Sequence, residues 1–213
     1  MKQYSYLLFD WDGCLTKTLE LALDTYKKTF AEYGVYPDNK TIVDKVLGDW
    51  SGPKKLGIKD IDIFTKKLLS KISETYSSAG LYEGAMKTLT NLKRKGKKLA
   101  LITTSPKAIV WPGIEYNNLE NMFDVYLMAD DVKNHKPDPE IINKSIEKLE
   151  GDKNQSIIIG DSKSDLGAAI NAGIDSILFY PKEHKKIYDL SMLKRYNPTF
   201  IVNNFEDILK IVT

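Results

Sequence analysis

The stretch Tyr6-Leu7-Leu8-Phe9-Asp10-Trp11-Asp12-Gly13 limits what this chain can fold into more than any other. An apolar run suited to a buried strand stops on two carboxylates one residue apart, and a glycine then lets the chain turn away. Where extended geometry persists, side chains at i and i+2 point the same way, so Asp10 and Asp12 crowd like charges together. Mg²⁺ is the natural relief, because it takes hard oxygen ligands and keeps waters that substrate oxygens can replace. Asp-x-Asp-Gly also suits a turn or a helix cap, so the pair alone leaves both readings open.

At 213 residues the chain can build one domain with a real core, or one domain carrying an insertion. Net charge is +2, which gives no electrostatic footprint for nucleic acid. The basic residues are lysines apart from Arg94 and Arg195, so bidentate phosphate clamps are scarce. Cys14 is the single cysteine, which rules out an internal disulfide and fits a reducing compartment. Two histidines, His135 and His184, argue against a His-rich zinc site or a Ser-His-Asp triad. The first apolar run meets Asp10 too early for a secretory signal, and no segment reaches membrane-spanning length. The expectation is a cytoplasmic protein with no nucleic-acid or membrane partner.

After Leu15 the spacing changes to three and four. Leu19, Ala22, Leu23, Tyr26 and Phe30 predict a helix, Ile42 to Leu47 a second, and Ile61 to Tyr76 a third. Residues 16–80 therefore read as all-helical. Beyond Gly84, helices alternate with strands that are apolar on both faces: Leu99–Ile102, Val125–Ala129, Ile157–Ile159, Ile177–Tyr180 and Phe200–Val202. Such strands predict a doubly wound, Rossmann-like parallel sheet covered on both sides. Right-handed crossovers bring the carboxyl ends of the strands to one edge, where open α/β sheets bind ligands. The polar residues that end the runs, Asp10, Thr103, Asp130 and Asp161, are expected to converge there. The helical stretch leaves from the same edge and is expected to lie over it as a lid, dividing the chain into a core of 1–15 with 81–213 and a cap of 16–80.

Phosphoryl transfer needs a nucleophile, a cation to neutralise oxygens, donors to hold them, and a proton shuttle. Asp10 and Asp12 can divide nucleophile and acid/base duty, and an aspartate can carry the phosphoryl group as an acyl phosphate. Thr103 offers a hydroxyl and nearby N–H groups, Lys136 a fixed positive charge between prolines, and Asp161 and Asp165 further carboxylate for the cation.

Four separated motifs in order resemble those of the haloacid-dehalogenase superfamily, in its phosphatase branch with a helical cap. These are Phe9-Asp10-Trp11-Asp12-Gly13, Leu101-Ile102-Thr103-Thr104, His135-Lys136-Pro137-Asp138-Pro139, and Ile159-Gly160-Asp161 through Asp165. The resemblance implies a Mg²⁺-dependent phosphatase acting on a small phosphorylated metabolite. By it, Asp10 is the nucleophile and a metal ligand, and Asp12 is the acid/base that ligates metal through its main-chain carbonyl. Thr103, Thr104 and Lys136 hold the phosphate, Asp161 completes the protein's metal ligands, and Asp165 orients Lys136 or a metal-bound water. Thr104 stands where relatives often carry asparagine. Cys14, His135 and Lys17-Thr18 also depart from the common pattern without removing a reacting group. The carboxylate at Asp12 excludes the dehalogenase and phosphonatase branches. Ala22, where sugar-phosphate mutases of this type carry histidine, favours hydrolysis over the mutase alternative.

Other classes remain in view. A receiver-type phospho-accepting domain uses similar residues but lacks an inserted lid, and a non-catalytic protein can keep the fold. Substrate choice is expected from lid residues around Glu20 and 48–55. Lys54 and Lys55 read chiefly as surface lysines, Cys14 as a small buried hydrophobe, and the three tryptophans as packing or lid contacts.

Overall fold

The computed structural model describes residues 2–213. Six strands make one parallel sheet in the order β3-β2-β1-β4-β5-β6. They are β1 (Tyr6–Phe9), β2 (Lys98–Ile102), β3 (Val125–Leu127), β4 (Ser156–Gly160), β5 (Asp175–Phe179) and β6 (Phe200–Val202). Between β1 and β2 run helices α1 (Leu19–Ala31), α2 (Asn39–Lys45), α3 (Ile61–Tyr76) and α4 (Ala85–Arg94). Next come α5 (Lys107–Tyr116), α6 (Glu140–Lys148), α7 (Lys163–Ala172), α8 (Leu190–Lys194) and α9 (Phe205–Val212).

Strand β1 lies at the centre, paired with β2 on one side and β4 on the other. Its two faces explain its unbroken apolar sequence. Leu7 and Phe9 point into a core that also takes Leu89, Leu101, Ile159 and Phe205, while Leu8 points into the opposite core with Ile102, Ile142 and Ile158. A strand buried on both sides has nowhere to place a polar residue until it ends.

Helices α1 to α3 bury most of a third cluster, to which Ile109 of α5 also contributes. Phe30 stacks against Phe64 at 4.8 Å, with Ile42, Leu68 and Ile72 around them. The chain enters and leaves this helical segment side by side: Thr16 bridges Leu81, and the Tyr82 N–H donates to the Leu15 carbonyl at 2.9 Å. Among the described residues no helix is long and apolar enough to cross a membrane.

One expected strand end differs. Strand β3 stops at Leu127, and Ala129–Asp131 forms a short 3₁₀ turn. The exposed Asp130 there accepts from the Lys107 N–H at 2.6 Å, at the start of α5, and does not reach the cluster formed by the other strand ends. The first free N–H groups of a helix draw a carboxylate readily, and this one has been taken by the neighbouring helix.

Candidate active site

The carboxyl ends of β1, β2 and β4 and the turn before α6 bring together Asp10, Asp12, Thr103, Lys136, Asp161 and Asp165. Lys136 is the hub. Its ammonium donates to Asp10 Oδ1 at 2.6 Å, to Asp165 Oδ1 at 2.6 Å and to the Ile102 carbonyl at 3.4 Å. Lys136 is 2% exposed and Asp161 and Asp165 1% each, so these charges interact across little water.

Ligand oxygens of Asp10, Asp161 and Asp165 lie within 4.8 Å of one another, and the one ammonium beside them, that of Lys136, bonds to two of the three, Asp10 and Asp165. Burial, then Asp165, raises the Asp10 carboxyl well above the usual range; burial, then Asp10, does the same to Asp161. The Lys136 pKa also moves up: burial opposes its charge, but the Asp10 and Asp165 carboxylates hold it above that of an ordinary lysine. The cluster is short of positive charge.

The Oδ2 atom of Asp161 is buried without a hydrogen-bond partner. A buried polar atom left unpaired is costly, and a hard divalent cation beside these oxygens satisfies it. The donor set of aspartate oxygens therefore fits Mg²⁺. The backbone is shaped to let the carboxylates meet. Gly13 has φ +76°, and a Cβ there would lie 2.5 Å from Asp161 Oδ2; a Cβ on Gly160 would lie 2.4 Å from Asp165 Cγ.

Asp12 stands apart from this cluster. Its oxygens accept from Ser105 Oγ at 2.6 Å and from Thr18 Oγ1 at 2.9 Å, and burial raises its pKa although both hydroxyls pull it down. Thr103, almost fully buried, accepts from the Ser105 N–H at 3.1 Å and keeps its own hydroxyl hydrogen to donate. Thr104 lines the cavity above the site, and its carbonyl accepts from Trp50 Nε1 at 3.4 Å. Asp165 spends both oxygens inside the protein: Oδ1 on Lys136, Oδ2 on the N–H and hydroxyl of Ser162 at the start of α7.

Sequence reasoning passed over Ser105 and Tyr188, and treated Thr18 as a departure from pattern. Tyr188 sits against Asp161, and burial, then that carboxylate, push its phenol up. Nothing in its local sequence marks it, because a 3₁₀ turn at Lys182–Lys186 after β5 delivers it. Glu20 is exposed and does not line the cavity, whereas Gly48, Asp49 and Trp50 do. Lys54 and Lys55 also stay outside, and Lys55 pairs with Asp49 at 2.7 Å. Cys14 is fully buried, with burial raising its thiol well above the usual range.

Carboxylates and one ammonium gather at the switch point of a parallel sheet, the edge at which open α/β folds bind ligands, beneath a helical segment. Residues 7–179 match the family model described as haloacid dehalogenase-like hydrolase, and the chain belongs to that family. The pyrophosphatase PpaX of Bacillus cereus is 30% identical over 219 residues, covering 97% of this chain and 95% of that protein. A candidate β-phosphoglucomutase from Thermotoga maritima is 28% identical with a TM-score of 0.73, covering 98% of each chain. A haloacid dehalogenase-like family hydrolase from Streptococcus pneumoniae shares the fold at TM-score 0.84 and 22% identity over the whole of both chains.

Proposed function

We propose that the chain is a Mg²⁺-dependent phosphohydrolase that removes a phosphoryl group from a small phosphorylated metabolite by way of an aspartyl-phosphate on Asp10. The observation that carries this reading is the charge deficit around Lys136: three buried carboxylates, Asp10, Asp161 and Asp165, gather beside one ammonium that pairs with Asp10 and Asp165, and Asp161 Oδ2 has no protein partner. Mg²⁺ held by Asp10, Asp161 and the Asp12 main-chain carbonyl would supply the charge that draws a phosphate dianion to a carboxylate nucleophile.

The protein's own groups divide the remaining work. The Asp10 oxygen not bonded to Lys136 attacks phosphorus as the bond to the leaving oxygen breaks. Asp12, whose carboxyl pKa is raised by burial above the ordinary aspartate value, protonates that oxygen. It then takes a proton from the water that attacks phosphorus and frees Asp10. Ser105 and Thr18 hold Asp12 in place for both transfers. Lys136, the Thr103 hydroxyl and Thr104 bind the phosphate oxygens, and Asp165 keeps Lys136 charged and oriented.

Residues 16–80 act as the cap over this site. Ala22 lines the cavity with a methyl group and offers no proton relay of the kind mutase chemistry requires, which supports hydrolysis. A cytoplasmic setting is supported by the single cysteine, Cys14, which leaves no internal disulfide to form. The test is release of p-nitrophenol from p-nitrophenyl phosphate with Mg²⁺, abolished by EDTA and by Asp10→Asn. Turnover that survives Asp10→Asn would sink the reading.

A further inference from the structure

The reacting groups occupy only the floor of a cavity of about 960 Å³. That volume is near the upper end of the roughly 300–1,000 Å³ in which drug-sized ligands are bound, far more than a phosphate requires. Its walls differ sharply from its floor. The helical segment contributes Tyr26, Trp50, Leu69, Ile72 and Tyr76, and the sheet side adds Ile109. Apolar and aromatic surface kept open to a cavity is unfavourable until something covers it.

The wall also carries polar handles without partners. Tyr26 and Tyr76 are each 6% exposed, both line the cavity, and among the described residues neither hydroxyl has a hydrogen-bond partner within the protein. Burial, followed by the nearby Asp12 carboxylate, raises both phenols, so their hydroxyls remain protonated donors beside the acid/base.

Lys136 apart, the cations of the lining all stand at exposed positions, where water screens them. Lys136 is the one buried lysine of the lining, and it is shared between Asp10 and Asp165. The other lining lysines, Lys40, Lys163, Lys185 and Lys186, are exposed, and Lys163 donates to the Asp44 carbonyl at 2.7 Å. Neither arginine lines the cavity. A diphosphate or a phosphorylated carboxylic acid would present its second charge to phenols, an indole and aliphatic carbons.

We infer that the substrate is a phosphate monoester of a primary alcohol whose far end carries a planar, weakly polar ring, as in a nucleoside 5′-monophosphate. The ring lies among Trp50, Tyr26 and Tyr76, and the two phenols donate to the part between ring and phosphate. Stacking on aromatic side chains gives such a ring affinity without requiring a particular ring. This rests on the phosphatase reading above and narrows it against pyrophosphate and phosphoglycolate.

The decisive comparison is between nucleotides and ribose 5-phosphate, which release the same primary alcohol oxygen. Phosphate release is followed for adenosine and uridine 5′-monophosphates, ribose 5-phosphate, phosphoglycolate and pyrophosphate, with p-nitrophenyl phosphate as the general reporter. The nucleotides are expected to exceed ribose 5-phosphate in kcat/KM by at least about tenfold. Trp50→Ala should cut that ratio severalfold, and so should Tyr26→Phe, which keeps the ring packing and removes one donor. Equal or better turnover of ribose 5-phosphate, phosphoglycolate or pyrophosphate, with p-nitrophenyl phosphate hydrolysed, would overturn the inference and leave the phosphatase reading standing. Hydrolysis of none of them, the reporter included, would bring down both.

Discussion

The edge of the sheet and the helical segment above it face the same cavity and are built on opposite principles. At the sheet edge the charged side chains are tied to neighbours, Lys136 to Asp10 and Asp165, Asp165 to Ser162, Asp12 to Ser105 and Thr18, with Asp161 Oδ2 left open. The segment presents aromatic and aliphatic surface with two unpartnered phenols, and its tie to the sheet side consists of contacts such as Trp50 to Thr104 and Lys163 to Asp44. Chemistry that must hold charges within a fraction of an ångström sits on strand ends locked by packing on both faces. On the proposed reading, recognition of the rest of the substrate falls to helices packed on a separate apolar cluster, which can vary without disturbing those charges.

The largest effect that could break this contrast is at Asp10. Asp10→Asn should lower kcat for p-nitrophenyl phosphate by at least about 10³-fold. Because the edge holds more carboxylate than ammonium, removing one charge should leave the metal-free melting temperature unchanged or higher. A marked fall in melting temperature would show that the cluster serves folding before chemistry.

Lys136→Met should do the reverse. It leaves buried carboxylates facing one another without their shared cation, at a cost of about 3–5 kcal/mol in urea unfolding. In the helical segment the counterpart is Leu68, buried beside Phe64 and Ile72. Leu68→Ala should cost about 3 kcal/mol through the cavity it leaves. Activity of the remaining folded protein toward p-nitrophenyl phosphate should stay within a few-fold of the parent, since none of the sheet-edge contacts involves this residue.

The smallest effect lies where the two regions join. His184 is fully buried, its Nε2 is 2.9 Å from the Tyr82 hydroxyl, and its ring packs against Tyr188, the residue that faces Asp161. Burial lowers its pKa to about 4. The unfolded chain, with a histidine near pH 6.5, therefore binds a proton that the folded chain refuses. This contribution is complete above about pH 6.5 and is lost as pH falls toward 4, amounting to about 2–3 kcal/mol. Urea midpoints from pH 7.5 to 4.5 should fall more steeply for the parent than for His184→Gln. Parallel slopes would contradict the account.

The same contrast decides what can be read without coordinates. Asp10, Thr103 and Asp161 end apolar runs that can only be buried parallel strands, so topology alone carries them to one edge. Asp165 lies close behind Asp161 in the first turn of α7, and Lys136 follows β3 in the turn before α6. Asp130 broke the rule because β3 ends three residues earlier and the turn that follows delivers its carboxylate to the start of α5. Glu20, expected near substrate, lies one residue from Leu19, which does line the cavity; a helix turns neighbouring side chains about 100° apart, and no spacing says which one faces in. Tyr26 and Tyr76 satisfy the helical period as core residues and serve it as such. That their hydroxyls end in a cavity depends on how three helices pack over a sheet, and Tyr188 depends on a turn far along the chain.

The central claim is that Asp10 itself takes the phosphoryl group. Acid quench during turnover with Mg²⁺, followed by borohydride reduction and peptide mass spectrometry, reads it directly, since an aspartyl-phosphate is reduced to homoserine. The account predicts conversion of Asp10 and of no other aspartate, dependent on both substrate and Mg²⁺. Rapid turnover with Asp10 intact, or with the reduced residue at Asp12 or Asp161, would contradict it.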